Sequence, residues 1–317
     1  MPRTNASTEN EHEVGKWTSE RIGDQSGRVA VVTGANTGVG FEVAAALARN
    51  GATVVLACRD LDRAKHAAER ISAGTPGAEV RIQQIDLGSL DSVRRAAALL
   101  NANFPRIDLL VDNAGVMWIP RRLTEDGFER HLAVNHLGHF ALTGLILPAL
   151  TSTPGSRIVV LSSPAHRRGA IDFDDLQSAR RYRPMKAYAQ SKLANLLFAY
   201  ELQRRLEAAD APTIALAAHP GGARSELNRS MPRAFRGASW GLARPITHSA
   251  DRGALAILRA AVDPDARGGQ YYGPGGRFEF KGDPALITST PLSHDGELQA
   301  RLWERSEELT GVTYAMG

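Results

Sequence analysis

Only one cysteine, Cys58, occurs in the 317 residues. A lone cysteine excludes an internal disulfide and fits a reducing, cytoplasmic setting. No apolar run reaches the roughly 18 residues that a membrane-spanning helix needs. The longest candidate, HFALTGLILPAL, is too short. No apolar h-region follows the arginine of MPRTNASTENEHEVG, so the start does not read as a signal peptide. Polar and aperiodic, residues 1–16 read as a flexible tail. The net charge is +4, and no block of five Lys or Arg occurs, which argues against nucleic acid as a partner. No internal repeat is visible, which excludes a solenoid. What is present is a 43% apolar composition, enough for a core, in a length that one α/β domain can fill.

Short β-branched runs alternate with Ala-rich helical patterns. The runs are RVAVV (28–32), ATVVLA (52–57), EVRIQQI (79–85), IDLLVD (107–112), RIVVLS (157–162), TIALAA (213–218) and, more weakly, GGQYYG (268–273). Nearly continuous apolar strands separated by helices predict a mostly parallel sheet covered on both faces. The expected fold is therefore α/β: a single-domain, doubly wound Rossmann fold with a seven-stranded sheet. Residues 17–275 would form this domain and 276–317 a C-terminal extension packed on it. Ligands of such sheets bind at the carboxyl ends of the strands, in the strand–helix turns.

The first of those turns reads TGANTGVG, residues 33–40. Gly34, Gly38 and Gly40 permit a tight turn and a close approach of backbone to a pyrophosphate, and the next helix offers its free N–H groups. Asn36, Thr37 and Val39 complete this candidate dinucleotide site. The second strand ends in ACRD, where an acidic residue would bind the ribose of NAD. Arg59 stands at that tip instead and can pair with a 2′-phosphate, although Asp60 follows directly. NADP(H) is the preferred cofactor on this reading and NAD(H) the second option.

YAQSK, residues 188–192, opens another helical pattern. Positions four apart share a helix face, so Tyr188 and Lys192 project side by side. The bland alternative is an aromatic packed on a snorkelling lysine stem.

Taken together, TGANTGVG, DNAG (112–115), NHLGHF (135–140), Ser162–Ser163, YAQSK and HPGGARSEL (219–227) resemble, in order and spacing, the short-chain dehydrogenases/reductases. ACRD, the insert after SSPAH and SKLANLLFAYEL are similar to the retinol-dehydrogenase-like branch, and WERSEELTGV to its bacterial members. The resemblance implies an NAD(P)-dependent oxidoreductase acting on CH–OH or C=O. It implies Tyr188 as general acid/base, Lys192 as its electrostatic partner and a ligand of the nicotinamide ribose, and Ser163 as the hydrogen bond to the substrate oxygen. Asn135 would hold a water of the proton relay. Asp86 and Leu87 would flank the adenine, with Asn113, Ala114 and Gly115 along the cofactor. Pro220, Gly221 and Ser225 would close the nicotinamide end, Ser225 standing where the family usually has Thr.

Met117, Trp118 and Trp240 are candidate substrate residues. Segment 226–247 mixes Met231, Phe235, Trp240 and Leu242 with four arginines and reads as an apolar-lined lid, with weak peripheral membrane contact as a further reading. The expected partner is a lipophilic carbonyl or alcohol, and a homo-oligomer is allowed. His131, His136 and His139 lack the spacing of a metal site, so none is expected. Two other readings compete. A non-catalytic NADP sensor would lack the Tyr/Lys/Ser set, and a sugar-nucleotide epimerase would carry GxxGxxG and a larger C-terminal domain.

Overall fold

The computed structural model describes residues 16–222 and 248–316. Among these residues, eight strands form one sheet in the order β3-β2-β1-β4-β5-β6-β7-β8. They are β1 (Val29–Thr33), β2 (Thr53–Cys58), β3 (Val80–Gln84), β4 (Leu109–Asp112), β5 (Arg157–Leu161), β6 (Ile214–Ala218), β7 (Tyr271–Pro274) and β8 (Pro284–Leu286). The first seven are parallel, and β8 pairs antiparallel with β7, Gly273 opposite Ala285. The sheet thus has one strand more than the seven expected. β8 is only three residues long and begins with proline, so it carries no strand signal of its own. β7 also starts later than GGQYYG suggests, because Gly269 takes a left-handed turn at φ +74°.

Among the described residues, seven helices cover the faces: α1 (Gly38–Arg49), α2 (Leu61–Gly74), α3 (Leu90–Asn103), α4 (Arg130–Thr151), α5 (Pro184–Ala208), α6 (Ala250–Val262) and α7 (Gly296–Thr310). Successive strand side chains point to opposite faces. Ala30 and Val32 of β1 accordingly join a core with α1, α2 and α6, while Val31 joins one with α3, α4 and α5. Local chemistry sets the helix ends. Asp60, Ser89 and Asp295 cap α2, α3 and α7 by accepting from backbone N–H groups, and Pro184 starts α5. α4 is apolar and long enough to cross a bilayer, but 89% of its apolar window is buried, which makes it a core helix. It contains a π-type turn at Ala133–Leu137. From the carboxyl end, α7 brings Trp303 against Phe140 and Phe198.

Candidate active site

A cavity of about 1130 Å³ opens at the carboxyl ends of the parallel strands. Its floor is the β1–α1 turn. Gly34 and Gly38 sit at φ +65° and +60°, where side chains are strained. A Cβ at Gly34 would lie 3.0 Å from the Ala114 Cα, and one at Gly40 would collide with the Asn113 amide. Asn113 Nδ2 donates to the Thr33 carbonyl at 2.7 Å, and the Ala114 N–H donates to the Thr33 hydroxyl at 2.9 Å. These bonds tie the tips of β1 and β4. Thr37 makes no side-chain cap on α1, so the first-turn N–H groups are open to an anion. Asn36, Thr37, Val39, Asp86, Leu87 and Gly115 line the same cavity.

At the β2 tip, Arg59 is 60% exposed, with Nη1 3.8 Å from an Asp86 carboxylate oxygen. Asp60 lines the same cavity. Its carboxylate accepts the Arg63 N–H at 3.1 Å as the cap of α2. Cys58 is buried, and burial lifts its thiol to about 11, so it is inert beside the cavity.

The other end of the cavity gathers Ser163, Tyr188, Lys192, Pro220 and Gly221, with Met117 and Trp118. The two serines differ. Ser162 donates to the Lys192 carbonyl at 2.8 Å, whereas the Ser163 hydroxyl accepts the Ala165 N–H at 3.2 Å and faces Tyr188. Burial raises the Tyr188 phenol above its ordinary range, and the Ser163 hydroxyl pulls it partly back. Lys192 Nζ lies 6.0 Å from the Tyr188 ring centroid and donates to the Leu161 carbonyl at 3.0 Å. Burial lowers its ammonium to about 8.

Asn135 stands in the π-type turn. Its Oδ1 accepts the Val116 N–H at 2.7 Å, and its Nδ2 donates to the Val116 carbonyl at 3.0 Å and to the Ser191 hydroxyl at 2.9 Å. The amide therefore ties the end of β4 to α5 one residue before Lys192. π-type turns are uncommon and recur at functional sites. The three histidines diverge. His131 Nδ1 meets Glu129 Oε1, His136 Nε2 meets the Ser306 hydroxyl, and His139 Nε2 meets the Thr33 hydroxyl, each at 2.9 Å. Burial holds His136 and His139 neutral, at about 4 and about 3.

Ser225, Trp240 and the segment 226–247 lie outside the described residues. Other residues line the cavity without having been singled out by sequence: Arg63, Arg167, Met185, Phe278, Glu279 and Phe280. The last three occupy the turn of the β7–β8 hairpin. Its Gly/Pro-rich GPGGRF marks a turn, but no motif marks its proximity to Ser163.

A family model for short chain dehydrogenases matches residues 28–234. Retinol dehydrogenase 12 of Homo sapiens is 40% identical over 290 residues, covering 91% of this chain and 88% of that one. Polyprenol dehydrogenase of Mus musculus is 43% identical over 292 residues, 91% of this chain and 85% of that one. Among solved structures, an uncharacterised protein from Mycobacterium paratuberculosis is 40% identical, with a TM-score of 0.80 over 95% of this chain and all of that one. An NADP active-site complex of RhlG from Pseudomonas aeruginosa is 26% identical, with a TM-score of 0.61 over 78% of this chain and 94% of that one. The chain belongs to the short-chain dehydrogenase family, in its retinol-dehydrogenase-like branch, and is an NAD(P)-dependent oxidoreductase acting on alcohols and carbonyls.

Proposed function

We propose that this chain transfers a hydride between NADP(H) and the alcohol or carbonyl carbon of a lipophilic small molecule, with Tyr188 as general acid and base. The observation that carries this reading is the meeting of Ser163, Tyr188 and Lys192 at one end of a cavity whose other end is the Gly34–Gly40 turn. That turn fits a dinucleotide: backbone is bare where a side chain at Gly34 or Gly40 would collide, and open N–H groups face an anion.

NADP(H) supplies the hydride. The protein orients and moves the proton. Ser163 holds the substrate oxygen beside the Tyr188 hydroxyl. In reduction Tyr188 gives its proton to that oxygen, and in oxidation it takes the proton back. A buried phenol alone is a poor base at neutral pH. With its ammonium at about 8, Lys192 is charged at neutral pH and favours the phenolate from one helical turn away. Asn135 positions Val116 and α5 around the pair.

The cofactor preference rests on the β2 tip. Both Arg59 and Asp60 line the cavity, but the Asp60 carboxylate is engaged in capping α2, while the Arg59 guanidinium stands beside Asp86. An exposed guanidinium suits a 2′-phosphate, and an engaged carboxylate is a poor partner for a 2′-hydroxyl. The substrate class is supported by Met117 and Trp118 in the wall and by relatives named as retinol and polyprenol dehydrogenases. A panel of alcohols and carbonyls assayed with NAD+, NADH, NADP+ and NADPH tests the reading. It expects turnover of long apolar substrates with the phosphorylated pair. Tight NADP binding without turnover of any substrate would favour the sensor instead.

A further inference from the structure

β7 runs parallel to β6, so its carboxyl end lies at the edge of the sheet where the cavity opens, and β8 returns from there. The turn between them, residues 275–282, therefore hangs over the site. It is pinched shut at its base: the Gly275 N–H donates to the Asp283 carbonyl at 2.8 Å, and a Cβ on Gly276 would collide with Lys281.

The tip is strained. Phe278 and Glu279 stand in the left-handed region at φ +61° and +57°, although neither is glycine. Trp118, at φ +56°, lines the same cavity. Phe278 is 71% exposed and Phe280 40%. Left-handed backbone at non-glycine residues and exposed aromatic rings both cost free energy, and such costs collect at functional sites.

Glu279 anchors the tip through Arg167, with His219 close by. The Glu279 carboxylate accepts from Arg167 Nη2 at 2.5 Å, and its other oxygen lies 3.4 Å from His219 Nε2. Arg167 also donates to the Thr288 carbonyl at 2.7 Å. Arg167 belongs to the short helix that Ser163 caps, and His219 precedes Pro220 and Gly221. The Gly222 N–H, in turn, donates to the Phe280 carbonyl at 2.9 Å. The tip is thus fixed both to the loop that carries Ser163 and to the loop that ends the cofactor cleft.

We propose that Phe278 and Phe280 determine substrate specificity by forming an apolar rail for an elongated chain, whose reactive oxygen lies between Ser163 and Tyr188. This rests on the lipophilic-oxidoreductase reading above. Glu279 is a positioning residue: its bond to Arg167 aims the two rings and touches no reacting atom.

The test loads the full-length protein with NADPH and titrates butanamide, octanamide and dodecanamide, unreactive mimics of an aldehyde end. KM and kcat for butanal and dodecanal are measured in parallel, with circular dichroism and NADPH affinity as controls on folding. The wild type should bind the amides more tightly as the chain lengthens. Phe278→Ala should weaken dodecanamide about tenfold but butanamide by no more than about twofold, since only the long chain loses apolar contact. Phe278→Leu, which keeps apolar bulk, should recover most of the loss. Glu279→Ala should raise KM for dodecanal more than it lowers kcat, and Glu279→Gln should restore part of it. If the wild type shows chain-length dependence and the Phe278→Ala/Phe280→Ala double variant keeps it, the rail is refuted while the oxidoreductase reading stands. If the wild type turns over aldehydes without regard to length, the rail fails and hydride transfer stands. If no aldehyde is turned over and no amide binds, the underlying reading fails and takes the rail with it.

Discussion

Tyr188, the proposed general acid and base, sits in an environment that works against the phenolate until a charge is near. Burial raises the phenol and Ser163 pulls it partly back; the proposed compensating charge is Lys192, whose ammonium burial lowers to about 8. Removing only the hydroxyl, in Tyr188→Phe, should cut turnover by about 10²–10⁴-fold and leave NADP affinity intact, because general acid/base help is lost while the pocket shape stays. Near-normal steady-state turnover would remove Tyr188 from the role. Arg59→Asp should weaken NADPH by about 2 kcal/mol and shift preference toward NADH, since a like charge then faces the phosphate. Fluorescence titration with both cofactors checks it, and equal dissociation constants before and after would rule the pairing out. Asp112 supplies a pH test. Its carboxyl is fully buried, accepts from the Thr143 hydroxyl at 3.0 Å, and is pushed by burial up to about 8. The folded state therefore keeps a proton that the unfolded chain releases in the ordinary carboxylate range. Stability is full below that range and is lost as pH rises toward about 8. Asp112→Asn should flatten that fall in Tm. Parallel wild-type and variant curves, measured by scanning fluorimetry, would show that Asp112 is not its source.

At the scale of elements, the β1–α1 turn does its work by leaving atoms out. Gly40→Ala places a methyl where the Asn113 amide and the Gly34 carbonyl already stand. Overpacking of that kind costs about 1–3 kcal/mol, and NADP affinity should fall with it. Urea unfolding and cofactor titration measure the two effects, and an unperturbed variant would mean the cradle yields more easily than its contacts imply. This turn is legible in the sequence because its glycines, its strand and its helix are contiguous. The parallel strands are legible for a related reason: burial on both faces leaves unbroken apolar runs such as RIVVL. The π-type turn at Asn135 is not, since its apolar pattern differs little from that of an ordinary helix. Nor is the hairpin tip. Glu279 finds Arg167 across 112 residues, and the left-handed φ of Phe278 has no counterpart in its neighbours' identities. Phe278, Arg167 and Glu279 become site residues only once the chain has folded.

The whole molecule is closed by its carboxyl end. Trp303 is 2% exposed and meets the rings of Phe140, Phe198 and Tyr314. Trp303→Ala should cost about 3–5 kcal/mol, as large aromatic-to-alanine changes in cores do. The loss should appear as one cooperative transition if residues 276–317 belong to the same folding unit. A separate early transition, seen by comparing circular dichroism with tyrosine fluorescence, would make them an independent appendage. For segment 226–247, read from its sequence as a lid, hydrogen exchange should slow when NADP and an apolar analogue bind together. Exchange indifferent to ligands would end that reading. The two rims of the sheet bear on how copies of the chain can meet. At one rim β8 offers three residues led by Pro284, which has no N–H to give. At the other, β3 presents exposed Arg81 and Gln84. Short, proline-bearing or charged rims resist recruitment of a further strand. Among the described residues, the sheet is thus protected against growing from chain to chain into a fibre, and self-association is left to helical and loop surfaces.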